Sequence, residues 1–195
     1  MATAARSPAG IGFWDYLTGW DENTLRDFLE RLAVSNPPHL YSYPCFLVAE
    51  IGGQRAGALS AFRPETHGFG VYIPVFMRLV RETAGDAAVA EMMERARLMT
   101  ELEISLPPDR WHIESVATAP EFRRQGVADR LLAAAIERGR AEGCAVAAID
   151  TVFADNESAL RGYERHGFST VQRIRSEAWE ATFQSPGLDV LTRDI

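Results

Sequence analysis

Arg123-Arg124-Gln125-Gly126-Val127-Ala128-Asp129-Arg130-Leu131-Leu132 is the stretch whose reading decides the fold. An alternating segment precedes it, Trp111-His112-Ile113-Glu114-Ser115-Val116-Ala117, and Thr118-Ala119-Pro120 joins the two. Beyond it Val127, Leu131, Leu132, Ala135 and Ile136 recur at helical spacing. A strand, a short basic turn with one glycine, and a helix N-terminus together describe an anion site. The first helical turn has N–H groups without intrahelical partners, and the helix dipole adds positive potential there. Gly126 and Ala128 let a ligand approach the backbone, while Arg123, Arg124 and Arg130 add charge. A junction with paired arginines is also commonly just solvated, so the turn alone leaves both readings open.

The glycine pattern excludes two familiar phosphate sites. A P-loop needs Gly-x4-Gly-Lys-Ser/Thr, and a dinucleotide turn needs Gly-x-Gly-x-x-Gly after a first strand. Neither is present.

Working outward, the helix after the turn runs over about 126–142 and ends at Gly143. Residues 145–152, Ala-Val-Ala-Ala-Ile-Asp-Thr-Val, are almost all apolar, as in a strand covered on both faces. Asp155 or Asn156 caps a helix over 157–166 that Gly167 closes. Residues 168–174 and 188–192 read as the last strands, separated by a long polar connection.

Upstream, residues 45–51 and 55–62 form a hairpin around Gly52-Gly53, whose positive φ angles a tight turn demands. A helix beginning at Asp21 carries Leu25, Phe28, Leu29 and Leu32, and Asn36-Pro37-Pro38 stops it. The aromatic segment Phe13-Trp14-Asp15-Tyr16-Leu17 should pack against something, and residues 1–12 read as a poorly ordered leader. Between hairpin and motif strand, 63–70 is loop-like and 71–74 a short extended piece. Residues 75–83 and 86–102 read as two helices broken at Gly85, with Pro107-Pro108 ending the segment. The methionines on the second helix mark a core face more readily than a ligand surface. The order predicts one α+β domain, helices layered on a mixed sheet.

Composition narrows the class. At 195 residues, 47% hydrophobic and 24% charged, the chain suits a single globular domain. No run approaches the roughly 18 apolar residues of a membrane span, and the N-terminus lacks a signal-peptide core. A cytoplasmic protein with no membrane partner is expected. The formal net charge of −7 argues against nucleic-acid binding and mildly favours a cationic ligand. Cys45 and Cys144 lack metal-type spacing and read as free thiols. His67 and His166 sit at a loop and a helix end, so no metal is expected. The Asn156-Glu157-Ser158 sequon is incidental without secretion.

Two motifs in order and spacing carry a family resemblance. Ile113-x-Ser115-Val116-Ala117-Thr118-Ala119-Pro120 leads into Arg123-x-x-Gly126-x-Ala128. About 30 residues on comes Asn156-Glu157-Ser158-Ala159-Leu160-Arg161-Gly162-Tyr163-Glu164-Arg165-His166-Gly167-Phe168. Together, over about 111–175, they resemble the GNAT acetyltransferase superfamily. The resemblance implies a mostly antiparallel, twisted sheet of six to seven strands with splayed central strands. It implies an acyl-coenzyme A donor, most simply acetyl-CoA. Arg123, Arg124, Gln125, Gly126, Val127 and Ala128 would hold its pyrophosphate. Val116, Ala117 and Thr118 would pair with the pantetheine arm like an added strand. Asn156 and Ser158 would also contact the donor, and Tyr163 would protonate the departing thiolate.

The chemistry has its own logic. An amine of pKa near 10.4 is about 0.04% free base at pH 7, and reaching that form costs about 4.6 kcal/mol. A base or water relay therefore helps. His112 and Glu114 share a strand face and are the candidate bases. Glu114 lies nearer the splayed strand ends, whereas His112 has the more suitable unperturbed pKa of about 6.5. Either could instead be a sheet residue facing solvent, and Tyr163 a helix residue packed on the sheet. Asp150 reads equally as an acceptor-site or a structural residue.

The expected activity is acetyl transfer to a small-molecule amine by a monomer or homodimer. A non-catalytic acyl-CoA-binding module and a protein N-terminal or lysine acetyltransferase are the alternatives. The chain departs from the family before Asp21, where no first strand is evident, and in its long 74–106 segment. Both departures border the acceptor side.

Overall fold

The computed structural model describes residues 1–2, 4–100, 102 and 109–195. The expected Pro107-Pro108 stop and the end of the 74–106 segment fall outside the described residues. In chain order come helices α1 (Phe13–Thr18) and α2 (Glu22–Ala33), then strands β1 (Phe46–Ile51) and β2 (Gln54–Phe62). Helices α3 (Pro64–His67) and α4 (Phe69–Thr100) lead to β3 (Trp111–Thr118), α5 (Val127–Ala141) and β4 (Val146–Phe153). The chain closes with α6 (Glu157–Arg165), β5 (Ser169–Arg175), α7 (Glu177–Phe183) and β6 (Gly187–Asp194).

The six strands form one sheet in the order β1-β2-β3-β4-β6-β5, antiparallel everywhere except between β3 and β4. Gly52 and Gly53, at φ 58° and 78°, make the β1–β2 turn as the sequence predicts. One core lies under α5 and α6, where Leu131, Leu132 and Ile136 meet Leu59, Ile113 and Ala147. Gly57 lets α5 lie against β2, since a Cβ there would fall 2.8 Å from Val127 Cγ1. A second core joins α1, α2 and α4 through Trp14, Phe28, Leu32 and Phe76, with Phe62 of β2 at its base. Among the described residues no helix is long and apolar enough to cross a membrane.

Three expectations need correction. Residues 64–67 and 71–74 are helical rather than loop and extended. Tyr72, Val75, Phe76, Leu79 and Val80 form a helical stripe buried against the N-terminal helices. At roughly 1.5–3 kcal/mol per buried side chain, that stripe outweighs the roughly 3 kcal/mol penalty of Pro74. The break expected at Gly85 is present, with φ 82° and ψ −179° inside α4. The polar connection before the last strand contains α7, capped by Ser176 and burying Trp179 and Phe183 with ring centroids 4.3 Å apart. Third, residues 1–12, read as a loose leader, make definite contacts. Arg6 pairs with Gly12, Ser7 is buried, and Met1, Ala2 and Ala5 pack on the second core.

Candidate active site

The site is where β3 and β4 part. Their pairing covers only Trp111↔Ala147 and His112↔Ala148. Past that point β3 stays paired with β2 as far as Thr118↔Gly57, while β4 stays paired with β6. Two facing strand edges are thereby left with main-chain groups able to pair with an extended ligand. Val116, Ala117 and Thr118 lie on one of these edges, half-buried.

A bulge in β3 sets which side chains face the opening. Trp111 and Ile113 point into the core under α5, so His112 and Glu114 point to the opposite face. Ser115 has φ 57°, and the register with β2 shifts between Ala58 and Ser60. The phase therefore changes, and Val116 packs against the α5 core instead of following Glu114.

Glu114 lies at the wall of a cavity of about 580 Å³ that runs from the strand opening to α1 and α4. Tyr163, Asn156 and Thr151 line the same cavity, as do Tyr41 and Tyr72 from the α4 side. Burial raises the Glu114 carboxyl to about 7, with the nearby Asp150 pushing the same way. His112 and a hydrogen bond to Thr151 act in the opposite sense. A carboxyl titrating there is suited to taking a proton at neutral pH. Burial, reinforced by Glu114, pushes the phenols of Tyr163, Tyr41 and Tyr72 above their ordinary value. They stay protonated hydrogen-bond donors.

His112 is placed differently from Glu114. Its ring is closed to solvent, stacks on Phe62 and meets the Asp150 carboxylate through Nδ1. Neither His112 nor Asp150 is among the described residues that line the cavity. The expectation of a solvent-facing sheet residue fails for both His112 and Glu114.

The basic turn is shaped as the sequence implies. Arg124 and Gly126 have positive φ, 62° and 73°, and Gly126 is the N-cap of α5. A Cβ on Gly126 would meet nothing within 4 Å, so the space above it is open to a ligand. Arg123, Arg124 and Gln125 are exposed, Val127 is buried beneath them, and Ala128 is half-buried. His166 Nε2 lies 2.9 Å from Asp129 Oδ1, tying the start of α5 to the end of α6. Asn156 caps α6 by accepting from the Ala159 N–H at 3.2 Å, which leaves its amide NH₂ to donate. Ser158, one residue into that helix, is exposed and is not among the cavity's described lining residues.

Comparison with known proteins decides the family. The model of the acetyltransferase (GNAT) family matches residues 12–168. The chain belongs to the GNAT acetyltransferase family. A curated acetyltransferase of Agrobacterium fabrum is 45% identical to this GNAT chain over 62 residues, or 31% of the chain. That match spans 43% of the relative, less than half its length. The fold matches a Staphylococcus aureus Mu50 N-acetyltransferase with TM-score 0.66 at 17% identity, covering 92% of this chain and 88% of that one. A Bacillus subtilis acetyltransferase in complex with CoA gives TM-score 0.50 at 14% identity, covering 77% and 76%. At such identities the structures speak to the fold, which is the α+β, GNAT-like sheet expected.

Several residues that line the cavity of this GNAT chain were invisible in sequence. Tyr41 follows no periodic pattern, and Tyr72 lies in the stretch read as extended. The signal for Tyr72 was its helical spacing with Val75, Phe76 and Leu79. Thr151 was hidden in an apolar strand. The Ser115 bulge left no mark, since serine is not a residue that positive φ selects.

Proposed function

We propose that the chain is an acetyl-CoA-dependent N-acetyltransferase that moves an acetyl group directly to a bound small-molecule amine. The observation that carries this reading is one cavity lined by both Glu114 and Tyr163, opening between the parted strands. The turn at Arg123, Arg124, Gln125, Gly126, Val127 and Ala128 suits a pyrophosphate by its positive φ angles and open space. The free edge at Val116, Ala117 and Thr118 suits the pantetheine amides, and Asn156 lines the same cavity as Val116. Ser158 is assigned a contact to the donor only by resemblance.

Glu114, ionised, takes a proton from the bound ammonium. The free nitrogen attacks the thioester carbonyl carbon, so a C–N bond forms and the C–S bond breaks. Tyr163 donates a hydrogen bond to the departing sulfur. Its phenol lies above the ordinary value of about 10, whereas a thiol lies near 8.5, so outright loss of its proton would be uphill. The thiolate's proton comes instead from the acetylated nitrogen, relayed through that hydroxyl. The products are the amide, the free thiol and one proton carried by Glu114 until solvent removes it.

Calorimetry of CoA binding, followed by thiol release from acetyl-CoA across an amine panel, tests this. Micromolar CoA binding with amine-dependent thiol release is expected. Tight CoA binding with silence for every amine and peptide would replace the enzyme reading with a binding module. Release with peptide N-termini but no small amine would move the acceptor to protein.

A further inference from the structure

The cavity has two chemically different halves. Near the parted strands Glu114, Ser115, Thr151, Asn156 and Tyr163 gather among apolar neighbours such as Ile113, Val116 and Val152. Away from them it is closed by the N-terminal turn, α1 and α4, and its surface there is almost wholly apolar. Phe13, Leu17, Ile73, Phe76, Met77 and Met92 face that space. Among the described lining residues Glu114 carries the only formal charge, since no Lys, Arg, His or Asp takes part. Among the described lining residues the polar groups on the α4 side are the hydroxyls of Tyr41, Tyr72 and Thr100, and the two phenols stay protonated.

One buried carboxylate has consequences for the ligand. A single ammonium can pair with Glu114 and leave water at modest cost. A second charge of either sign would enter an apolar chamber without a partner, at a penalty of several kcal/mol. A neutral acyl tail would fill the chamber but leave the Glu114 carboxylate facing hydrocarbon. The apolar wall is flexible where it matters, because Met77, Met92 and Met99 adapt to irregular shapes.

We propose that the acceptor is a monocationic primary amine with an apolar body, an arylalkylamine or alkylamine, without carboxylate, phosphate or second ammonium. Its nitrogen lies at Glu114 and its body in the chamber under α1 and α4. This rests on the acetyltransferase reading above.

The test compares 2-phenylethylamine and hexylamine with phenylalanine, 1,6-diaminohexane and spermidine, using thiol release from acetyl-CoA. The apolar amines should exceed these multiply charged compounds by about 100-fold or more in kcat/KM. Equal or better turnover of phenylalanine or spermidine would overturn the proposal, as would a preference for octanoyl-CoA over acetyl-CoA. Calorimetric binding of hexylamine to the CoA-loaded protein is read separately. Hexylamine binding without any thiol release would sink the transferase reading while leaving the assignment of the chamber standing. Ile73 is about half exposed, so Ile73→Glu can be made without unfolding α4. It should narrow the ratio of hexylamine to 1,6-diaminohexane at least 10-fold. An unchanged ratio would place the amine's body elsewhere and count against the proposal.

Discussion

The imidazole Nδ1 of His112, the last residue of β3 paired with β4, meets the carboxylate of Asp150, two residues beyond its partner Ala148, with both side chains closed to solvent. The pair sits behind Glu114 and acts on it electrostatically, Asp150 raising its pKa and His112 lowering it. Removing one partner leaves the other polar group buried and uncompensated. His112→Phe should therefore destabilise the fold by about 3–5 kcal/mol in urea denaturation. The double variant with Asp150→Leu should lose clearly less than the sum of the two single losses. Strict additivity would show that the contact contributes nothing.

The same pair should tune the pH profile. With Glu114 acting as base on a bound ammonium, kcat/KM rises with unit slope up to about 7. It falls again near the pKa of the amine, about 10.4. Asp150→Asn removes a negative charge and should move the acidic limb to lower pH. Glu114→Gln should erase that limb and lower kcat by about 10²-fold or more. A limb that survives in Glu114→Gln would assign it to another group.

Stability should carry the same signature. The Glu114 carboxyl is raised from 4.5 to about 7 in the folded protein, so the native state holds its proton more tightly than the unfolded chain. Its contribution is complete below 4.5 and is lost as pH rises through about 7. The Tm of wild type should fall relative to Glu114→Gln across that window. Parallel Tm curves would mean that the carboxyl is solvated.

At the basic turn, geometry separates binding from folding. A Cβ on Gly126 meets no protein atom, so the protein itself opposes Gly126→Val only through its φ of 73°, at about 1–2 kcal/mol. The variant should fold and yet bind CoA at least 10-fold more weakly by calorimetry. Undiminished affinity would remove the turn from the donor site.

Legibility followed the range of the forces. The Gly52-Gly53 hairpin, the Asn156 cap and the α5 stripe depend on neighbours in sequence, and each was readable there. What depends on tertiary burial was not. Tyr72 and Pro74 become helical because α1 and α2 cover that face, and Trp179 is drawn inward by Phe153 and Phe183. The difference between His112 and Glu114, two residues apart on one face, comes from Asp150 on another strand and from the bulge at Ser115. Neither leaves a local trace.

Tyr163 provides the sharpest division between binding and chemistry. It is buried, its ring packs against Phe168 with centroids 6.3 Å apart, and it lines the cavity beside Glu114. Tyr163→Phe keeps the ring and its packing while deleting only the hydroxyl, so Tm should change by no more than about 2 °C for a loss of roughly 0.5 kcal/mol. In the proposed mechanism the hydroxyl acts only as the C–S bond breaks, donating to the departing sulfur and relaying the nitrogen's proton to it. CoA affinity and the amine KM should therefore stay within about two-fold, and kcat should fall by about 10²-fold. A donor with a better leaving group, such as an aryl thioester of pKa well below 8.5, needs less help and should recover much of that loss. Equal penalties on both donors would make Tyr163 a packing residue of α6 with no part in the transfer.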